Sequence, residues 1–179
     1  MKVYNDLNFD FWNFNRDLLY FQYKGIDTNR RYLSYKELFL KGVLDNQDLY
    51  IYKILKMFRE KYVVNESWFI EYFTRRQFNI LHTNQSNTGS IICLFLHRNE
   101  KTNHYIYNFK EDKKINIKSG QYIIFGNEIN DQENPCILIN GNWDLNEKGV
   151  SRNNDPNHFD NLWKISFKMI NQVSSSDLK

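Results

Sequence analysis

The segment FNILHTNQSNTGSIICLFL, residues 78–96, contains the pattern that decides the fold class. A short apolar run ends at His82, a polar turn follows, and residues 90–96 are mostly branched or aromatic. Short runs of this composition, separated by Asn, Ser and Gly, are typical of successive β-strands. The segment therefore predicts a strand, a turn and a core strand, with one histidine where the first strand ends.

The same pattern extends through the second half of the chain. Strand-like runs are SWFIEYF (67–73), HYIYNFK (104–110), INIK (115–118), QYIIFG (121–126), CILING (136–141) and WKISFKM (163–169). Residues 111–114 are expected to form a hairpin loop, and Ser119 and Gly120 the next turn. The polar stretch 141–161 is expected to be a long loop. So many short strands favour an antiparallel sandwich or barrel.

The first third of the chain has helix signals. Ser34 and Glu37 form a capping box, and Gly42 stands where a C-terminal glycine belongs, which predicts a helix over 34–42. Residues 17–25 are expected to form a strand that ends at a glycine.

A second helix is predicted over residues 48–62, capped by Asp45 or Asp48. Its apolar residues recur every three or four positions, and they are Leu49, Tyr52, Leu55, Phe58 and Tyr62. This stripe is expected to pack on the core, because two helices ahead of a block of strands typically cover one sheet face.

The chain has 179 residues, which fits one domain with a sizeable core. The expected division is a helical and irregular part over 1–63, a β-rich barrel over 64–170 and a frayed tail over 171–179. The predicted class is mainly β (α+β), an antiparallel jelly roll or double-stranded β-helix with N-terminal helices packed on one sheet.

Charge and composition exclude several classes of protein. The net charge is +3 without a concentrated basic run, so no strong nucleic-acid signal exists. No apolar stretch approaches the roughly 18 residues of a membrane span, and no signal peptide is recognisable, so a cytoplasmic protein is expected. Cys93 and Cys136 lie in apolar segments and are expected to be buried free thiols.

Three segments together resemble a known family in their order and spacing. The residues that carry the resemblance are Ser67, Trp68, Tyr72 and His82, then Gly120, Gln121 and Phe125, and finally Ile165, Ser166 and Phe167. This layout resembles the double-stranded β-helix of the iron(II)- and 2-oxoglutarate-dependent oxygenases over roughly residues 64–170. The resemblance implies a non-haem iron dioxygenase or hydroxylase with Fe(II) and 2-oxoglutarate as cofactors.

The resemblance also implies site residues. His82 and Asp131 are the expected metal ligands, Lys164 or Arg152 is expected to bind the cosubstrate's carboxylate, and the expected pocket residues are Tyr72, Asn84 and Trp163. Two positions depart from the family pattern: an asparagine stands where an acidic ligand belongs, and an aspartate stands where a distal histidine belongs. A third ligand would have to come from a residue such as His104 or His158.

Three functions stay open at this point. One is an iron oxygenase with a rearranged site. Another is a barrel that has no cofactor and binds a small ligand or a protein partner, and the third is a lipocalin-like barrel with up-and-down strand order. His97 and His104 flank a polar turn and are expected to be solvated.

Overall fold

The computed structural model describes residues 1–73, 78–81, 90–98, 104–130, 133–139, 143–146, 149–152 and 162–170. This part of the chain is mainly β, with antiparallel sheets and three helices. None of these helices is long and apolar enough to cross a membrane.

The three described helices lie in the first third of the chain. The helices are α1 (Phe11–Tyr23), α2 (Tyr35–Leu40) and α3 (Tyr50–Arg59). The strands are β1 (Val3–Tyr4), β2 (Tyr32–Ser34), β3 (Val64–Phe73), β4 (Phe78–Leu81), β5 (Ile91–His97), β6 (His104–Asn108), β7 (Lys113–Ile117), β8 (Tyr122–Phe125), β9 (Cys136–Ile139), β10 (Trp143–Asn146), β11 (Gly149–Arg152) and β12 (Leu162–Met169).

Two antiparallel sheets contain most of the strands. The larger sheet has the order β1-β8-β5-β12-β3-β2, and the smaller has the order β4-β9-β6-β7. Strands β10 and β11 pair with each other as a hairpin. Among the described strands, those that follow each other directly in sequence pair only at β2–β3, β6–β7 and β10–β11. This order differs from the up-and-down order of a lipocalin-like barrel.

Apolar side chains fill the space on both faces of the larger sheet. One face packs against the helices, with Phe14, Phe58 and Phe167 in a single buried cluster. The other face packs against the smaller sheet, where Phe95, Ile106 and other residues of both sheets form a second cluster. The strand alternation of period two therefore sets which side chains face the helices and which lie between the sheets.

Most predicted strands are confirmed, and so are the predicted turns before β7 and β8. The stretch 141–161 was expected to be a loop, but residues 143–146 and 149–152 form the β10–β11 hairpin. The expected tail, residues 171–179, lies outside the described residues.

The strand predicted over residues 17–25 is wrong, because this segment belongs to α1. Asp10 caps the helix by accepting a hydrogen bond from the Trp12 N–H at 2.7 Å. The buried residues of α1 recur at helical spacing, and they are Phe11, Phe14, Asp17, Leu18 and Phe21. Gly25 has φ +91° and follows the end of this helix, not of a strand.

Helix α2 confirms the capping-box prediction. The Ser34 hydroxyl accepts a hydrogen bond from the Glu37 N–H at 3.1 Å, and Gly42 takes a positive φ after the last turn. Both predicted helices, α2 and α3, pack on the helix-facing side of the larger sheet.

Helix α3 also exists, but neither Asp45 nor Asp48 caps it, since its N-cap residue, Leu49, makes no side-chain hydrogen bond. The Asp17 carboxylate of α1 accepts hydrogen bonds from the Tyr50 and Ile51 N–H groups at 2.7 and 2.8 Å instead. The first turn of α3 is thus satisfied by a side chain of another helix.

Candidate functional site

Strand β12 presents polar side chains to the space between the sheets. Trp163, Ile165 and Phe167 belong to the helix-facing cluster, while Leu162 belongs to the cluster between the sheets. Because side chains alternate along a strand, Lys164 and Ser166 lie on the same face as Leu162. Both are buried, with Lys164 only 5% exposed.

The ammonium group of Lys164 is paired with a carboxylate inside the protein. Its Nζ lies 3.1 Å from Oε1 of Glu71 on the neighbouring strand β3. The two residues are direct register partners, and Phe95 of β5 flanks Lys164 on the other side. The Glu71 side chain is 14% exposed, so this ion pair is largely removed from water.

A thiol and a hydroxyl lie next along the same face. Cys93 of β5 and Ser166 of β12 are register partners with their Sγ and Oγ atoms 3.5 Å apart. Burial raises the pKa of the Cys93 thiol, so this group is an uncharged thiol at neutral pH. Cys93 and Cys136 are both buried and free, as the sequence predicts.

Two buried imidazoles meet at the other end of this face. His97 of β5 is 2% exposed and His104 of β6 is fully buried, which corrects the expectation that both are solvated. Their ring centroids are 4.4 Å apart with the planes at 67°. Their register partners, Leu162 and Ile117, belong to the cluster between the sheets, so the two rings meet across the sheets.

The two aromatic residues expected to line the pocket lie on the opposite face of the larger sheet. Tyr72 and Trp163 are register partners with ring centroids 4.9 Å apart, and Trp163 also contacts Phe11 of α1 at 5.3 Å. Both pack with the helix-facing cluster. They are therefore separated by the sheet from Lys164, with which the resemblance grouped them.

The other expected site residues fall mostly outside the described part of the chain. Arg152 pairs through its backbone with Trp143 in the β10–β11 hairpin. The remaining candidates His82, Asn84, Asp131 and His158 lie outside the described residues. Within the described ranges, no group of three His, Cys, Asp or Glu side chains is placed to hold a metal ion.

A separate cavity of about 580 Å³ opens beside the N-terminal segment. Its lining comes from the segment before α1, from α1 and α3, from the end of β5 and from the turn before β8. His97 and Arg98 line it at the end of β5, and Lys53 lines it from α3. This volume lies within the range of small-molecule sites.

Glu71 is the partner of Lys164 that the sequence did not reveal. Glu71 is the one charge in the apolar run SWFIEYF, and Lys164 is one of two lysines in WKISFKM; these opposite charges in two strand-like runs are the signal that was available. Turning that signal into a contact requires the register of β3 against β12, which the sequence alone does not specify.

Lys164, one of the two expected counter-ions of 2-oxoglutarate, already has a carboxylate at its ammonium group, that of Glu71. An incoming carboxylate would stand beside a second one in a poorly solvated space, which is electrostatically unfavourable.

No family model matches the chain, and no curated protein is significantly similar to it in sequence. Support for a function therefore comes from the residues and their geometry.

Proposed function

We propose that the chain is a jelly roll, or double-stranded β-helix, with the layout of the iron(II)/2-oxoglutarate oxygenases. The support is the nested order of strand pairs. Of eight barrel strands, β3 to β9 and β12, the first pairs with the last, the second with the seventh, the third with the sixth and the fourth with the fifth. A strand ribbon folded over on itself in this way is the arrangement of a jelly roll.

Within this fold, the protein acts as a binding module and not as an ordinary iron oxygenase. The observation that carries this proposal is the ion pair between Lys164 and Glu71. In the family that the chain resembles, a cation on the closing strand binds the carboxylate of the cosubstrate. Lys164 lies on β12 near that position, slightly out of phase with the family pattern, but its charge is balanced by a residue of the chain itself.

The energetics favour keeping this pair closed. Removing one partner of a buried ion pair leaves an uncompensated charge and costs about 3–5 kcal/mol. A ligand carboxylate that displaced Glu71 would incur part of this cost, because Glu71 has little access to water. The resident pair therefore competes directly with any dicarboxylate cosubstrate.

A second candidate is an active oxygenase with an altered metal site at His82 and Asp131. The inward placement of Lys164 and Ser166, two residues apart on the closing strand, favours this candidate. In this alternative Fe(II) and 2-oxoglutarate would bind together, and Glu71 would have to be protonated or displaced when the cosubstrate arrives.

Anaerobic titration with iron(II) and 2-oxoglutarate separates the two candidates. The binding-module proposal predicts no metal-to-ligand charge-transfer band in the wild-type protein and no bound iron after purification without chelator. His82→Ala should leave this null result and the unfolding midpoint unchanged. A charge-transfer band that is lost in both His82→Ala and Lys164→Met would establish the oxygenase and refute the binding module.

A further inference from the structure

The 580 Å³ cavity carries more positive than negative charge in its lining. Lys53 of α3 and Arg98 after β5 contribute exposed cationic side chains from two separate elements. Asp10 is the acidic residue of the lining. The described lining thus has one positive charge in excess, which favours an anionic occupant.

The Asp10 carboxylate is already used within the chain. Its Oδ1 accepts a hydrogen bond from the Trp12 N–H at 2.7 Å, and its Oδ2 accepts one from the Asn13 side-chain amide at 3.3 Å. A carboxylate engaged in capping a helix repels an anionic ligand less than an unengaged one, because the N–H groups and the helix dipole partly offset its charge.

Aromatic rings form much of the remaining wall. Phe9 and Phe11 are buried, Tyr50 is half-buried, and Trp12 is 60% exposed at the cavity. The Trp12 ring contacts Phe11 edge-on, with centroids 5.2 Å apart, so one of its faces can be offered to a ligand. Exposed aromatic faces bind planar rings by stacking.

We propose that this cavity binds a small anionic molecule with a planar ring, with Lys53 and Arg98 binding the anionic group and Trp12 stacking on the ring. The site is lined by the segment before α1, by α1 and α3, by the end of β5 and by the turn before β8, and its lining includes neither Lys164 nor Glu71. This proposal deepens the binding-module function and rests on it, since it names the ligand class and the place.

Calorimetric titration with three probes tests the ligand class. Adenosine 5′-monophosphate has both a planar ring and an anionic group, adenosine has only the ring, and inorganic phosphate has only the charge. We expect the monophosphate to bind at least about tenfold more tightly than either partial probe, because each contributes only one of the two contacts. Absence of binding by the monophosphate, or equal affinity for adenosine, would overturn the proposal.

Variants of the lining locate the binding. Lys53→Met and Arg98→Met should each weaken monophosphate binding about tenfold, and Trp12→Ala should weaken adenosine and monophosphate alike. Lys56→Met, one turn along α3 and outside the lining, and Leu19→Ala, on the exposed face of α1, are matched controls that should bind as the wild type does. Equal affinity in Lys53→Met and Lys56→Met would place the ligand elsewhere and refute the site.

Failure of this test is distinguishable from failure of the proposed function. The cavity proposal fails if adenosine 5′-monophosphate does not bind or if Lys53→Met does not weaken its binding, while the iron titration can still give its expected null result. The proposed function fails if iron and 2-oxoglutarate bind in a Lys164-dependent manner, whatever the cavity binds.

Discussion

At the scale of single residues, the buried charge of Lys164 is stabilised by the carboxylate of Glu71. We expect Lys164→Met and Glu71→Leu each to lower the free energy of unfolding by about 3–5 kcal/mol, because each leaves one charge poorly solvated. The double variant should return to within about 1 kcal/mol of the wild type, since an apolar pair of similar volume satisfies the same space. Urea unfolding of the four proteins measures this cycle. Additive losses would show that the two side chains do not stabilise each other.

Gly120 is a second residue whose role can be measured. It has φ +88°, and a Cβ at this position would lie 2.7 Å from the Phe9 carbonyl oxygen. Gly120→Ala should destabilise the protein by more than about 2 kcal/mol, because backbone strain and a backbone clash add together. Gly42→Ala is the control, since Gly42 has φ +72° with open space around it and should lose only about 1 kcal/mol. Equal losses in thermal unfolding would argue against the close approach.

At single residues, the sequence predicted features that depend on near neighbours in the chain, but not contacts between residues on different strands. The Ser34 cap and the buried cysteines follow from rules that act over a few residues. The burial of His97 and His104 did not follow, because a polar turn between them suggested solvent while the two sheets enclose both rings. Histidine is amphipathic, so its burial is decided by the tertiary contact and not by its neighbours in sequence.

At the scale of elements, the contact between α1 and α3 should depend on pH. Burial of Asp17 raises its pKa from 3.8 to about 6, against the opposing effect of the two N–H donors of α3. An acid with a raised folded-state pKa binds more protons when folded, so its contribution to stability falls as pH rises from about 4 to 6. The fall should be no more than about 3 kcal/mol, from the size of the shift.

Asp17→Asn removes this titration and keeps one hydrogen-bond acceptor. We therefore expect the unfolding free energy of the wild type, minus that of the variant, to decrease between pH 4 and 6. Above pH 6 this difference should level off. Urea unfolding of both proteins at several pH values measures it, because other titrating groups cancel in the difference. A difference that grows in favour of the wild type with pH would mean that the N–H donors outweigh burial.

The sequence distinguished helices from strands where the spacing of apolar residues was clear and extended over enough positions. Helix α1 was missed because DLLYFQY is rich in Leu, Tyr and Phe, which suit a strand as well, while the helical spacing starts earlier at Phe11. The cap of α3 was missed because Asp17 is far from it in sequence. The residue composition of such a short segment fits a helix and a strand alike, and contacts with the rest of the fold decide which one forms.

At the scale of the whole molecule, the nested pairing of strands joins distant parts of the chain. Strand β12, the last of the described strands, lies between β3 and β5 and connects them in the larger sheet. The sequence predicts the strands but not this order, because hairpin and crossing connections have similar turn residues. The same order aligns Glu71 with Lys164, and the interior chemistry thus depends on a pairing that local patterns do not reveal.

The most direct test of the account is 2-oxoglutarate binding, measured by calorimetry, in the wild type, Glu71→Ala and Glu71→Ala/Lys164→Met. If Glu71 occupies the cosubstrate position, the wild type and the double variant should not bind 2-oxoglutarate. Glu71→Ala should bind it, because the small side chain exposes the Lys164 ammonium group to the ligand's carboxylate. Binding to the wild type that Lys164→Met abolishes and Glu71→Ala does not improve would contradict this role of Glu71.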